Sequence, residues 1–300
     1  MKKLFCTLLS AAAAVALLCG FTPSPQENSA GAGLITKTYE TAEAISSLSV
    51  SDKYADVTVK ADDVDHVVVE YSYNSSYNDA FGTGGELYSF TIAGPSLNIQ
   101  GLKGDASMSV NNSKCICTIT VKLPRRAFAG LTVDTSNGNI TIQDMTSQSN
   151  TLTTTNGNIS ITGGSLDNLN ATANNGKVEV NNLLTQTFAA STRNGRISLA
   201  NTSALSITAQ AQNGSINLDT VSAPSYRCTV TNSSVVGKLV GRASDYAFDL
   251  TPGNGRVTVT DNTDSSFSLR SSGPVQQGQG AAQNFTAKAS NGSVNLEFLG

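Results

Sequence analysis

Few side chains in this 300-residue sequence can do chemistry, and their spacing limits what that chemistry can be. Arg193 and Arg196 flank the dipeptide Asn194-Gly195, Lys177 stands 19 residues before Arg196, and Glu179 follows Lys177 by two. Residues two apart on a strand share a face, so these four make a small basic patch with one acid, a candidate binding surface. Glycoside hydrolysis needs two carboxylates flanking the scissile bond, and no two acids recur at one position of neighbouring repeat units. A Ser-His-Asp site would depend on His66, the single histidine, which sits beside Val67-Val68-Val69 where a turn or cap role is the ordinary one. Asp62, Asp63 and Asp65 are the only acid cluster, a weak calcium candidate. Cys115 and Cys117 share a strand face near the ~7 Å limit for a disulfide but lack the further ligands a metal would need. With Cys228 they read as small buried apolar side chains. No catalytic residue, metal or cofactor is expected.

The elements that must carry these residues are strands. Charged residues are 14% of the chain, the hydrophobic share is 39%, and Trp is absent. Ser, Thr, Asn and Gly fill the rest, a composition of strands and turns. A net charge of −3 argues against nucleic acid, which requires a basic face, and gives no electrostatic case for an anionic membrane surface. At the N-terminus, Lys2-Lys3 precede the uncharged LFCTLLSAAAAVALLCGF and then a polar TPSPQENSAGAG, the order of a secretory signal peptide. Cleavage is expected at Ala30-Gly31-Ala32 or after Gly20, with an uncleaved anchor as the alternative. Cys19 is a candidate lipidation site, although Leu18 before it is large for such a signal. Membrane contact is expected only through this signal or a lipid anchor, so residues 1–32 are set apart from the folded chain.

A turn recurs at a fixed interval. Asn137-Gly138, Asn156-Gly157, Asn175-Gly176, Asn194-Gly195 and Asn213-Gly214 are each 19 residues apart, and position 232 holds Asn232-Ser233. Asn254-Gly255 and Asn291-Gly292 continue the series, with Phe267 and Leu269 suggesting a degenerate unit between them. Apolar residues stand six and four positions before the Asn and three and five after it, so each unit reads strand, turn, strand. The expected reason for Asn-Gly is positive φ at a tight turn. A single unit cannot bury its apolar face, but stacked units can. Two all-β arrangements fit: a parallel β-helix-like solenoid, or an antiparallel meander of Asn-Gly hairpins. The small residues Ala171, Ala190, Ala209 and Cys228 at one column favour the solenoid, because a narrow coil interior demands them. Met145, Leu183, Val221 and Val240, eight positions after the Asn, hint at a third wall. Some nine coils would make a rod on the order of 40 Å long.

Residues 33–130 are less regular. Leu48, Val50, Val57 and Val59 fit the register if Tyr54-Ala55 stands in for Asn-Gly, giving a degenerate first coil. Strand-like runs follow at 67–73, 87–94, 96–100 and 115–123, expected to cap the open end of the stack. Phe285, Phe298 and Leu299 are expected to close the last coil. The irregular cap (33–130) and the repeat stack (131–300) should form one continuous domain.

The lead-in SVSDKYADVTVKADDVDHVVVEYSY, the ITVKLP strand at 119–124, and the units TSNGNITI, TTNGNISI and ASNGSVNL together resemble a bacterial adhesin-like family of β-strand repeat proteins. The likeness covers about residues 35–300. It departs from the common pattern at the glycine-less unit at 232 and an insertion near 274–282. The resemblance implies an exported cell-surface or envelope protein without an established activity. Exposed Thr, Ser, Asn and Gln would offer a flat hydrogen-bonding face to cell-wall glycan or to a surface or matrix protein. A non-enzymatic, adhesin-like scaffold is the expected function. The alternatives are a polysaccharide-active β-helix enzyme, which needs an acidic cleft, and an envelope-stress accessory protein with a membrane partner.

Overall fold

The computed structural model describes residues 34–74, 87–101 and 116–300. The expected signal segment, Cys19 and Cys115 lie outside these residues. The chain winds into two long sheets of 13 and 12 strands, whose strands pair in parallel except at the ends. Thr146–Thr154 pairs in parallel with Ala127–Thr135 on one side and Ser165–Ala173 on the other, each residue opposite the one 19 positions away. The second strands of the units stack likewise, Ile140–Gln143 on Ile159–Thr162 on Val178–Asn181. Parallel pairing at one-unit register selects the solenoid over the hairpin meander.

Burial alternates along each strand because successive side chains point to opposite faces. Three positions after each turn Asn, one interior column holds Ile140, Ile159, Val178, Ile197, Ile216 and Val235, all without solvent exposure. Each such side chain contributes about 1.5–3 kcal/mol relative to exposure. Ala171, Ala190, Ala209 and Cys228 are buried at the facing column, as their size implied. Towards the C-terminal end the interior becomes aromatic, with Tyr226 and Phe285 stacked at 4.8 Å between ring centroids.

The glycines of the turns have a different cause from the expected one. None of Gly138, Gly157, Gly176, Gly195 and Gly214 has positive φ. Instead the backbones approach too closely for a side chain. A Cβ on Gly157 would lie 1.8 Å from the carbonyl oxygen of Gly138, and one on Gly176 would lie 1.7 Å from that of Gly157. The left-handed residues occupy another corner, seven positions after the Asn: Asp144, Gly163, Asn182, Asn201 and Thr220. Asn and Asp tolerate that conformation by local hydrogen bonding and Gly by lacking a Cβ. Thr220 is β-branched and has neither advantage, and the ladder slips beside it. Val221 pairs with Leu239 rather than with Val240. Leu239 therefore enters the third wall, and Val240, expected there, is 37% exposed.

Both ends depart from chain order. The degenerate coil stacks as expected: Leu48 and Val50 pair with Leu131 and Val133, and Val57 and Val59 with Ile140 and Ile142. Outside it lies a further coil made of Ser96–Gly101 and Cys117–Pro124, closed off by antiparallel strands. At the far end, Gln283–Ala289 and Val294–Phe298 insert between the Asn232 coil and the Asn254 coil. Phe285 and Phe298 thus fill the stack one coil in from its end and do not close it. Phe267 and Leu269 belong to no extra coil. Leu269 lies in an antiparallel edge strand against Val259, and Val275–Gln277 forms a second edge strand against Phe248–Leu250. Ten parallel coils result among the described residues, one more than the repeats alone imply, a length on the order of 45 Å.

Candidate functional site

The repeated corner carries a regular polar array along the stack. Each turn asparagine donates its side-chain amide to the side-chain oxygen of the asparagine one coil away. Asn156 donates to Asn137 at 2.7 Å, Asn175 to Asn156 at 2.8 Å, Asn194 to Asn175 at 2.6 Å and Asn213 to Asn194 at 2.8 Å. Asn232, Asn291 and Asn254 extend the ladder in stacking order rather than chain order. At the other end Asn137 donates to the Lys53 carbonyl. Such a ladder satisfies donor and acceptor alike, so it orders an exposed edge without charge.

A second row stands two residues on. Asn139 takes Asp56 as its acceptor, the Asn158 amide N–H donates to the side chain of Asn139, and that of Lys177 donates to Asn158. Beneath both rows, some units carry a buried threonine two residues before the asparagine. Thr154 Oγ1 accepts the Gly157 N–H and donates to the Gly138 carbonyl. Thr135 and Thr192 accept from Gly138 and Gly195 in the same way. Asp52 plays this part in the degenerate coil, accepting the Tyr54 and Ala55 N–H groups. Burial nevertheless pushes its carboxyl above the usual range, against the pull of those hydrogen bonds.

Three of the four patch residues come together. Lys177 Nζ and Arg196 Nη2 each lie 2.9 Å from a different oxygen of Glu179. The hydrogen bond from Lys177 holds the Glu179 carboxyl below the usual range, partial burial opposes it, and Arg196 adds to the lowering. Arg193 precedes the turn rather than following it, so the corner parts it from this trio, and it is exposed. The trio lies on the outward face of adjacent parallel strands, a one-acid clamp carrying a net positive charge.

Elsewhere acids also meet cations. Asp62 is bound by Lys60 at 2.8 Å, and Arg125 reaches Asp63 at 3.2 Å. His66 bridges Asp65 and Glu40, and its hydrogen bond with Asp65 raises its pKa. Among the described residues no group of three or more His, Cys, Asp or Glu is disposed to hold a metal ion. Cys117 lies buried beside the Tyr88 hydroxyl, and Cys228 is enclosed by the core, where burial pushes its thiol up to about 12. Neither is oxidised to a disulfide.

One depression of about 220 Å³ opens on the outer face near the C-terminal coils, lined by Val236, Lys238, Thr258, Thr260, Asn295 and Glu297. It lies over Gly237, which stands at an interior column otherwise filled by Leu, Ile or Val. Leu296 fills the missing side chain's place, its Cδ2 only 2.9 Å from where a Cβ would sit. No sequence pattern announced this depression; its only signal is a glycine in a column of branched aliphatic residues.

Parallel coils of near-constant length, with flat polar walls and hydrogen-bonded corners, define a short-coil β-solenoid. The chain belongs to the Toastrack DUF4097 family, whose profile matches residues 45–297. This bears out the resemblance read from the lead-in and the repeats. Among solved structures the chain is similar to a candidate adhesin from Bacteroides fragilis, at 12% identity over 89% of this chain and 97% of that one, with a TM-score of 0.49. A candidate adhesin from Parabacteroides merdae is similar at 11% identity over 89% and 97%, with a TM-score of 0.47. A protein from Parabacteroides distasonis named for lipid binding is similar at 11% identity over 89% and 97%, with a TM-score of 0.40. No curated protein matches the chain.

Proposed function

We propose that this protein is an exported, non-enzymatic cell-surface or envelope scaffold that presents a rigid polar wall to a partner, in the manner of an adhesin. The observation that carries the reading is the polar dressing of a stiff stack, interrupted only by scattered apolar side chains such as Leu184 and Leu205. Outward side chains cross-link neighbouring coils, as Thr172 does with Ser191 and Thr187 with Asn168, so the wall is ordered before any partner arrives. Preordered side chains lose little entropy on binding. The Lys177–Glu179–Arg196 clamp, with Arg193 nearby in sequence, supplies a local positive spot on an otherwise weakly charged face. Glu179 is held ionised and doubly paired there, which suits a fixed surface feature better than a proton-transfer group. Cell-wall glycan and surface or matrix protein are the partner classes with the matching hydrogen-bonding chemistry.

The test is co-sedimentation of the purified protein with the producer's cell walls, with intact cells and with matrix proteins. Saturable binding to one of these, weakened by replacing Lys177 and Arg196 with Ala, is the expected outcome. Absence of binding to all three would remove the adhesin reading and leave a structural or accessory role.

A further inference from the structure

Seven of the eight asparagines of the ladder are followed by glycine, the dipeptide that most readily deamidates, and Asn232 is followed by Ser233. The glycine nitrogen attacks the asparagine Cγ, ammonia leaves, and water opens the resulting succinimide to aspartate or isoaspartate. Two features of the fold oppose this at the inner coils. The side-chain amide is held at both ends, donating to one neighbour and accepting from the next, so Cγ cannot turn towards the backbone. In the Asn137, Asn156 and Asn194 units the attacking glycine N–H is also engaged by a buried threonine.

One member of the ladder has neither protection in full. Asn254 is the ladder's last rung. It donates to Asn291 at 3.1 Å, the longest link between its members, and no described asparagine donates to its own oxygen. Pro252 occupies the position of the threonine cap, so the Gly255 N–H has no hydroxyl to engage it. The Asn254 coil is also the outermost full coil at its end, covered only by the short edge strands Ser268–Ser271 and Val275–Gln277. A stack with nearest-neighbour coupling opens first at its ends.

We infer that Asn254 is a site of spontaneous modification, the Asn-Gly pair at which the folded protein deamidates first, while the inner rungs are preserved by the stack. The product is a carboxylate at residue 254. It can no longer donate to Asn291, and it places a negative charge at the free end of the ladder, two residues before Arg256.

Peptide mapping by mass spectrometry, on the purified folded protein held at mildly alkaline pH, tests this directly. Conversion at Asn254 is expected at least ~10-fold faster than at Asn156, the factor associated with one or two lost hydrogen bonds and local opening. In denaturant the Asn-Gly pairs should convert at similar rates, which assigns the difference to the fold rather than to sequence. Thr154→Ala should raise the rate at Asn156 without approaching that of Asn254. Equal rates along the folded ladder would overturn the inference, as would Asn175 or Asn213 outrunning Asn254.

Discussion

At the scale of the residue, the structure reassigns what the turn glycines do, and the reassignment has a measurable consequence. A left-handed glycine is replaced by alanine at the cost of backbone strain, but a crowded one forces two coils apart. Gly157→Ala puts a methyl group 1.8 Å from the Gly138 carbonyl oxygen, and a loss of about 3 kcal/mol is expected. Gly273 has no positive φ, and a methyl group added to it would meet no atom within 4 Å. Gly273→Ala should therefore stay within about 0.5 kcal/mol of the parent. Urea denaturation of the two variants separates crowding from a general intolerance of substitution. Alkali supplies a second test. Burial raises the Cys228 thiol and the Tyr246 phenol each to about 12, from ordinary values of 9.0 and 10.0. The folded state therefore holds these protons more tightly than the unfolded state. The stability they contribute is fully present below about pH 9 and is lost as pH rises towards about 12, by at most about 1.4 kcal/mol per pH unit for each group. Denaturation midpoints should fall across that window, and Cys228→Ala should flatten the lower part of the fall. Midpoints that do not move would refute the enclosure of these groups.

At the scale of the element, each corner is a hydrogen-bonded polymer running along the stack, and its direction can be tested. Every inner amide of the ladder donates one way and accepts from the other. Asn175→Asp keeps the acceptor for Asn194 but loses the donor to Asn156 and sets a carboxylate against an oxygen. A loss of about 1 kcal/mol is expected at neutral pH, partly recovered on acidification as the carboxyl regains a proton to donate. An Asn175→Asp melt identical to the parent's at both pH values would refute the ladder. The 19-residue unit and its inward columns were legible in the sequence, because parallel stacking repeats one pattern of alternation at one spacing. The left-handed corner was less so. Asp144, Gly163, Asn182 and Asn201 carry the residue types that favour it, but Thr220 hides the column and the Asn-Gly pairs offered a more conspicuous turn. Stacking order at the C-terminal end was not legible at all. Tyr226, Phe285 and Phe248 occupy the same interior column in their three coils, so each coil could follow either of the others on packing alone. Of the candidate patch, the pairing of Lys177 and Arg196 across Glu179 followed from their one-unit separation. Arg193 fell away because it lies before the corner and the others after it.

At the scale of the molecule, a solenoid's stability is a sum of coil terms and nearest-neighbour interfaces, and two deletions of similar length should then behave very differently. Removing one internal 19-residue unit, residues 157–175, joins two coils whose columns already match: Ile140 and Ile142 would meet Val178 and Val180, which pair in register with the intervening Ile159 and Ile161. The rod loses one coil and one interface and keeps its ends, so it should melt cooperatively only a few degrees lower. Removing residues 279–300 takes away the coil that lies between the Asn232 and Asn254 coils, and with it every parallel partner of the Asn254 coil and one of the two parallel neighbours of the Asn232 coil. The Asn254 coil and its antiparallel edge strands are then joined to the stack by the chain alone. They could close the gap only if Tyr226 and Cys228 packed directly against Phe248 and Leu250, an interface shaped for the intervening Phe285 and Ala287. Loss of the cooperative transition for the segment beyond the Asn232 coil, seen as rapid amide hydrogen exchange after residue 240 with protection retained before it, is the expected result. If the truncated protein instead protects its Asn254 coil as well as the internal deletion does, the inserted coil is dispensable. The end of the rod would then be able to grow or shorten by one coil without penalty, and chain order, not intercalation, would set where the stack stops.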